Sequence, residues 1–464
     1  MFKKLIFFSV PIFLLFNFVY SINLGLSSEI RELEPIRDTD RILILAPHPD
    51  DEVIGCAGIV QEAVRVGADV RIVYLTNGDH NQVAFIVYEK RFTLRRGEFI
   101  HMGEVRRKEA IKAAQVLGLS EKNLIFLGYP DFGTFSILNY YWQNIKPYRS
   151  FLTRISAVPY KNDLSFRAPY KGESILYNLE EVLLGYKPNK IFVSHPADAN
   201  VDHKALYLFT EIALGDLEGK IGRPRVYPYL VHCLGWPLPR HYHPELNLDP
   251  PEQLQNSPIQ WRKFTLTTEQ LKNKHQAILC HKSQTESSAF YLLSFVRQNE
   301  LFGDYPIIDF SGYLPSTNKT ALFLSEIFNH DDTLEAGDSP DVIASTGRVS
   351  YALGNNCLTI SINKKKEAGY KLSGLIYIFG YSKKTAFAKM PKIRILTKGN
   401  RFKIFDGRKI VDPKGASLEY KRSELILKIP LKILGNPDFI LTAVKTYSGI
   451  LRTDTSAFRK INLK

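Results

Sequence analysis

The chain has 464 residues, with 61 Lys and Arg against 47 Asp and Glu, a net charge of +14, 45% hydrophobic residues and 23% charged ones. That composition excludes a disordered or collagen-like chain, and the length can bury two cores. Four scattered cysteines (Cys56, Cys233, Cys280, Cys357) form no CxxC pair, which argues against a cysteine-based zinc site and for small buried thiols.

Lys3 and Lys4 precede a run, residues 5–20, that is apolar apart from Ser9, Pro11 and Asn17, and Ser21 follows. This is signal-peptide architecture. Residues 1–21 are therefore expected to be a signal peptide, with an uncleaved N-terminal membrane anchor as the alternative. The protein is expected to be exported: periplasmic, secreted or associated with the cell envelope.

From residue 41 to about 310 the pattern alternates. Strands are expected over 42–46, 69–75, 123–127 and 190–194, and helices over 53–66, 104–117 and 173–184, the second stopped by Gly118. Such alternation predicts an α/β fold, a mostly parallel sheet with helices on both faces. Residues 132–172 interrupt it with Tyr140, Tyr141, Trp142, Tyr148, Phe151, Tyr160, Phe166, Tyr170 and many basic residues. Two readings of this insertion stand side by side. It is a lid whose rings meet a sugar or a membrane interface, or it packs a cluster of its own.

The first strand runs into His48-Pro49-Asp50-Asp51-Glu52, which opens the first helix. In open α/β sheets ligands bind at the carboxyl ends of the strands. One imidazole and three carboxylates there cost folding energy unless something pairs them, as a divalent metal would. The fourth strand runs into His195-Pro196-Ala197-Asp198-Ala199-Asn200-Val201-Asp202-His203. Two strand ends loaded with His and Asp can converge on one site.

Together the two segments resemble the PIG-L/LmbE-like family of zinc-dependent N-deacetylases (N-acetylglucosaminyl-phosphatidylinositol de-N-acetylase-like), over roughly residues 40 to 300. The first family motif is matched without change. The second, His-Pro-x-Asp-x-His-x-Asp-His, is matched except that Asn200 stands where the family has His. The resemblance implies a Rossmann-like deacetylase domain over 38–312 and one Zn2+ per chain, another divalent metal being the alternative. His48, Asp51 and His203 would hold it, and Asp50 would be the general base. Asn200 can donate a hydrogen bond to a carbonyl oxygen but cannot be protonated. His232, at an expected strand end, is the candidate to replace the missing imidazole, and His195 is the other. Asp202, Asp198, His195 and Glu52 are expected to orient the ligands from behind. Arg106 and Glu109 match the family's Arg-x-x-Glu segment, and Arg106 and Asp131 are expected to bind substrate. Residues 274–284 match a late family segment and are expected to close the site by packing.

Beyond residue 320 short β-rich runs take over, predicting a β-sandwich-like accessory domain over 320–464, with 329–344 as linker or loop. The charge lies here. Residues 361–464 hold 24 Lys and Arg against 7 Asp and Glu, leaving 37 against 40 in the rest. A basic surface suits an anionic envelope polymer or membrane surface, and nucleic acid is a poor partner for an exported chain. The function expected is an exported hydrolase that removes an N-acyl group, most simply acetyl, from an amino sugar in a glycan, glycolipid or glycoconjugate. The alternatives are a non-catalytic metal-containing glycan or envelope binder, and a metal-dependent amidase on non-sugar substrates.

Overall fold

The computed structural model describes residues 30–80, 95–255, 257–311, 321–325, 346–364, 373–421, 424–448 and 451–464. The expected signal segment and the 329–344 linker lie outside these residues.

The first eight strands are β1 (Arg31–Glu32), β2 (Arg41–Ala46), β3 (Asp69–Thr76), β4 (Leu124–Tyr129), β5 (Lys190–Ser194), β6 (Arg225–Tyr229), β7 (Gln260–Thr265) and β8 (Asn299–Asp304). They form one sheet in the order β1-β7-β8-β6-β5-β2-β3-β4. All neighbours run parallel except β8, which is antiparallel to both β6 and β7. The aliphatic run of β2 is explained by burial on both faces. Ile42, Ile44 and Ala46 enter one core, and Leu43 and Leu45 enter the other.

Helices α1 (Asp51–Val66), α2 (Arg96–Val116), α3 (Thr134–Tyr140), α4 (Gly172–Tyr186), α5 (Val201–Asp216), α6 (Thr268–Cys280) and α7 (Lys282–Leu292) cover the two faces. The fold is the mixed α/β architecture expected. Among the pieces not anticipated are α5, which opens at the second motif, the helices α3, α6 and α7, and the β7–β8 antiparallel pair. Gly55 shows how tightly α1 lies on the sheet, because a Cβ there would stand 2.5 Å from the Tyr229 ring.

The remaining strands are β9 (Ile308–Asp309), β10 (Ala321–Ser325), β11 (Thr346–Gly354), β12 (Cys357–Lys364), β13 (Ser373–Tyr381), β14 (Lys392–Lys398), β15 (Arg401–Asp406), β16 (Lys409–Val411), β17 (Ser417–Lys421), β18 (Glu424–Pro430), β19 (Phe439–Ser448), β20 (Leu451–Thr455) and β21 (Arg459–Asn462). They make a five-stranded sheet, β10-β11-β12-β18-β17, facing an eight-stranded sheet, β16-β15-β14-β13-β19-β21-β9 with β20 on β19. β9 pairs with β21, so the chain has entered the second sheet system by residue 308.

Strand periodicity decides how the two parts join. On β13, Ile376 and Ile378 point into the sandwich core, while Tyr377, Phe379 and Tyr381 join the core of the α/β part. On β19, Ile440 and Val444 face inward, and Phe439, Leu441 and Ala443 face the α/β part. The larger sheet is therefore buried on both faces.

The aromatic insertion supplies much of this seam. Trp142 meets Phe387 with ring centroids 5.3 Å apart. Lys392 lies over both rings, Arg394 over Tyr140 and Arg408 over Tyr141. Arg408 also donates to the Tyr141 hydroxyl at 2.7 Å. Part of the basic charge counted in the C-terminal region thus serves the seam. All four cysteines are free thiols. Among the described residues no helix is long and apolar enough to cross a membrane.

Candidate active site

The loops after β2, β3, β4, β5 and β6 meet at one end of the sheet, and nearly every polar residue singled out in the two motifs lies there. Pro47 is tied to β3 by the Thr76 N–H, 3.0 Å from its carbonyl oxygen. Asp50 then turns the chain into α1 with φ 133°, a backbone conformation that costs an L-residue roughly 1–3 kcal/mol. Its surroundings hold it there. Glu52 accepts from the Asp50 N–H at 3.0 Å, and Arg106 donates to the Pro49 carbonyl at 2.8 Å and to Asp50 Oδ2 at 3.2 Å.

His48 Nδ1 lies 3.2 Å from Asp51 Oδ2, and His203 Nε2 lies 3.1 Å from the same oxygen. One donor atom from each residue falls within 4.8 Å of the others, and all three residues are buried. Burial alone would raise the Asp51 carboxyl, but His203 and His48 hold it well below the ordinary carboxylate range. Burial disfavours an imidazolium at His203, yet Asp198 and Asp51 raise its pKa to about 9. Both ring nitrogens of His203 are buried without a well-aligned hydrogen bond, although a carboxylate oxygen stands 3.1 Å from each. Two imidazoles and a carboxylate aimed at one point, with acidic groups behind them, are a donor set suited to a divalent ion.

The carboxylates behind are Asp198 on His203 Nδ1 at 3.1 Å, and Asp131 and Asp202 on His48 Nε2 at 3.1 and 3.4 Å. Asp198 also accepts from the Val231 and His232 N–H groups, and His203 and His232 help bring its pKa to about 2 against the opposing effect of burial. Asp202 also accepts from the Phe132 N–H at 2.6 Å, the Thr134 N–H at 3.1 Å and the Thr134 hydroxyl.

Three expectations are corrected. Asp131, expected to hold substrate, has one oxygen on His48 and the other accepting the His80 backbone N–H at 3.1 Å, so it orients the His48 imidazole. Arg106, expected to reach a sugar, is 4% exposed and donates to Gly78 O, Pro49 O and Asp50, so it fixes the Asp50 turn. Gly78, at φ 66°, has no room for a Cβ, which would stand 2.0 Å from the Arg106 guanidinium. Glu109, the other matched residue of the Arg-x-x-Glu segment, accepts from the Ser283 N–H and hydroxyl at 2.8 and 2.6 Å, clamping the start of α7. His195 lies apart from the His48 and His203 imidazoles. It is stacked on Trp261, and its Nδ1 accepts the Ala197 N–H at 3.0 Å. Burial drives its pKa down to about 3, so it is a neutral structural residue.

Asp50 faces a cavity of about 490 Å3 lined by His48, Asp51, Arg106, Asn200, His232 and Tyr291 among others. Burial raises its pKa to about 6, Arg106 pulling it down and Asp51 pushing it up. Glu52 Oε1 stands 3.5 Å from His281 Nε2, so Glu52 ties the Asp50 backbone to α7. The His232 ring lies 4.7 Å from that of His203, and burial lowers its pKa to about 4. Asn200 caps α5, its Oδ1 accepting the Asp202 N–H at 2.8 Å, which leaves its amide NH2 as a donor. The 274–284 segment closes the site as expected. Lys274 is fully buried on Glu300 and the Ile54 carbonyl, and Gln284 reaches the cavity.

Sequence reasoning missed Phe132, Thr134, His80 and His281. His281 and its partner Glu52 both lay within segments already singled out, and Phe132 follows Asp131 directly, but no periodicity marks any of them.

Residues 43–214 match the family model described as PIG-L: GlcNAc-PI de-N-acetylase. No curated protein matches the chain. Among solved structures, the N,N'-diacetylchitobiose deacetylase from Pyrococcus horikoshii is 18% identical, covering 65% of this chain and 94% of that one, with a TM-score of 0.37. The conserved protein TT1542 from Thermus thermophilus is 19% identical over 61% of this chain and 100% of its own, at 0.34. The A40926 pseudoaglycone deacetylase Dbv21 is 16% identical over 57% and 96%, at 0.35.

Proposed function

We propose, from the PIG-L domain at residues 43–214, that the protein is an exported hydrolase removing an N-acyl group, most simply acetyl, from an amino sugar in a glycan, glycolipid or glycoconjugate. The observation that carries this reading is the buried triad His48, Asp51 and His203 beside Asp50 at the cavity.

The triad fits one zinc ion per chain, with another divalent metal as the alternative. Such an ion supplies Lewis acidity toward an amide carbonyl and makes water more acidic. Asp131, Asp202 and Asp198 hold the two imidazoles in place. Asp50 takes the proton of the attacking water, and its position is set by Arg106 and Glu52. Neutral His232 and the Asn200 amide stand at the cavity as hydrogen-bond donors to the carbonyl oxygen as it gains charge. Asp50 carries its proton on to the departing amine, because neither Asn200 nor a His232 of such low pKa supplies one. Cations of the C-terminal domain outside the seam would hold the enzyme on an anionic envelope polymer or membrane surface.

The test is release of free amine and acetate from a panel of N-acetylglucosamine glycans and glycolipids, by zinc-loaded protein and by Asp50→Ala. Release by the first and not the second supports the reading. Equal release by both, or none from any substrate despite bound zinc, contradicts it.

A further inference from the structure

Phe132 sits at the mouth of the cavity with half of its side-chain surface in solvent. Its φ is 55°, the left-handed region that bulky residues avoid. An exposed phenyl ring in a disfavoured backbone conformation is unfavourable twice over, so it persists only because its surroundings impose it. They do so through Asp202, whose carboxylate takes the Phe132 N–H at 2.6 Å and both donors of Thr134, while its Oδ2 also stands 3.4 Å from His48 Nε2. The same carboxylate thus fixes a metal-facing imidazole and the aromatic ring at the entrance. Behind the next residue, Gly133, the Tyr148 ring fills the space a Cβ would need, at 2.7 Å. The His80 ring stands 5.3 Å from Phe132 at 51°, and the His80 backbone N–H donates to Asp131 at 3.1 Å. Together the two rings make an aromatic corner beside the polar groups of the cavity.

We propose that Phe132, with His80 at its side, is a sugar-stacking subsite that receives the pyranose ring next to the N-acyl group. The electron-rich face of the phenyl attracts the weakly positive axial C–H edge of a pyranose, and a side chain with only two χ angles loses little rotamer freedom on binding. Asp50, Arg106 and His232 line the same cavity, and Phe132 adds to it an exposed apolar face that a pyranose can cover. The inference rests on the hydrolase reading above and adds the residue that recognises the sugar ring.

The test uses metal-loaded Asp50→Ala protein, which binds without turning over, and N-acetylated chitotriose as ligand. Phe132→Ala in that background should weaken binding roughly tenfold, with zinc uptake unchanged, and Phe132→Tyr should restore it. In the active protein, Phe132→Ala should raise KM for the trisaccharide with kcat within about twofold, and should leave hydrolysis of a small acyclic N-acetylamine unchanged. Equal trisaccharide binding or KM with and without the ring overturns the subsite and leaves the hydrolase reading standing. Absence of both binding and turnover in the protein with Phe132 intact overturns the two together.

Discussion

At the strand ends, Asp51, Asp131, Asp198 and Asp202 crowd around two imidazoles. At the seam, Lys392, Arg394 and Arg408 lie over Trp142, Tyr140 and Tyr141. Both regions hold charge that needs a partner, buried throughout at the strand ends and at Lys392 in the seam, but they compensate it differently. The seam closes most of its own interactions: its cations meet aromatic faces and backbone carbonyls, as Lys392 does with Phe387 O and Met390 O at 2.6 and 2.7 Å, and Arg394 Nε is the exception. The strand-end cluster is unfinished, with like charges adjacent and the nitrogens of His203 unaligned with any acceptor. Under the proposed metal centre, the interactions left open at the strand ends are those the ion would complete.

The comparison can be broken first at the seam. Phe379 is fully buried against Phe458, and Phe379→Ala should cost about 3–5 kcal/mol in denaturant unfolding without changing zinc uptake. Loss of zinc uptake in the folded variant would show that the two regions are not separable. Asp202→Ala should act in the opposite sense. It removes the acceptor for Phe132, Thr134 and His48, and zinc affinity measured by chelator competition should fall about 10- to 100-fold.

Asp163 sharpens the comparison through pH. Burial raises its pKa to about 6, while the Asn77 amide and Arg107 oppose that rise. The folded value lies above the unfolded one, so its contribution is fully present below about pH 4 and is lost as pH rises through about 6. Asp163→Asn should therefore gain stability relative to the parent across that window, by about 1–3 kcal/mol, read as the difference in unfolding free energy at pH 4 and pH 7. A difference independent of pH would rule out the burial of an ionising carboxyl. The smallest effect is expected for Arg394→Ala, about 0.5–1 kcal/mol, because one stacked guanidinium at a partly open seam is lost.

The aliphatic runs of β2 and β5 and the two motifs at their ends announced the parallel sheet and the place of the site, because both are local patterns of period and composition. The roles of Asp131, Arg106 and Glu109 were not legible. Each depends on which of several nearby polar groups its side chain reaches after folding. The same holds for β7 and β8, whose antiparallel pairing is a long-range choice. The seam was half legible: the aromatic insertion and the basic C-terminal region were both conspicuous, but nothing in either says that some of their members face each other.

The most direct measurement is zinc titration of metal-stripped protein, comparing the histidines at the two ends of the second motif. One ion per chain should bind, His203→Ala should lose at least about 100-fold in affinity, and His195→Ala should bind as the parent does. No ion bound by the parent, or equal binding by His203→Ala, would contradict the assignment of His48, Asp51 and His203 as a metal centre.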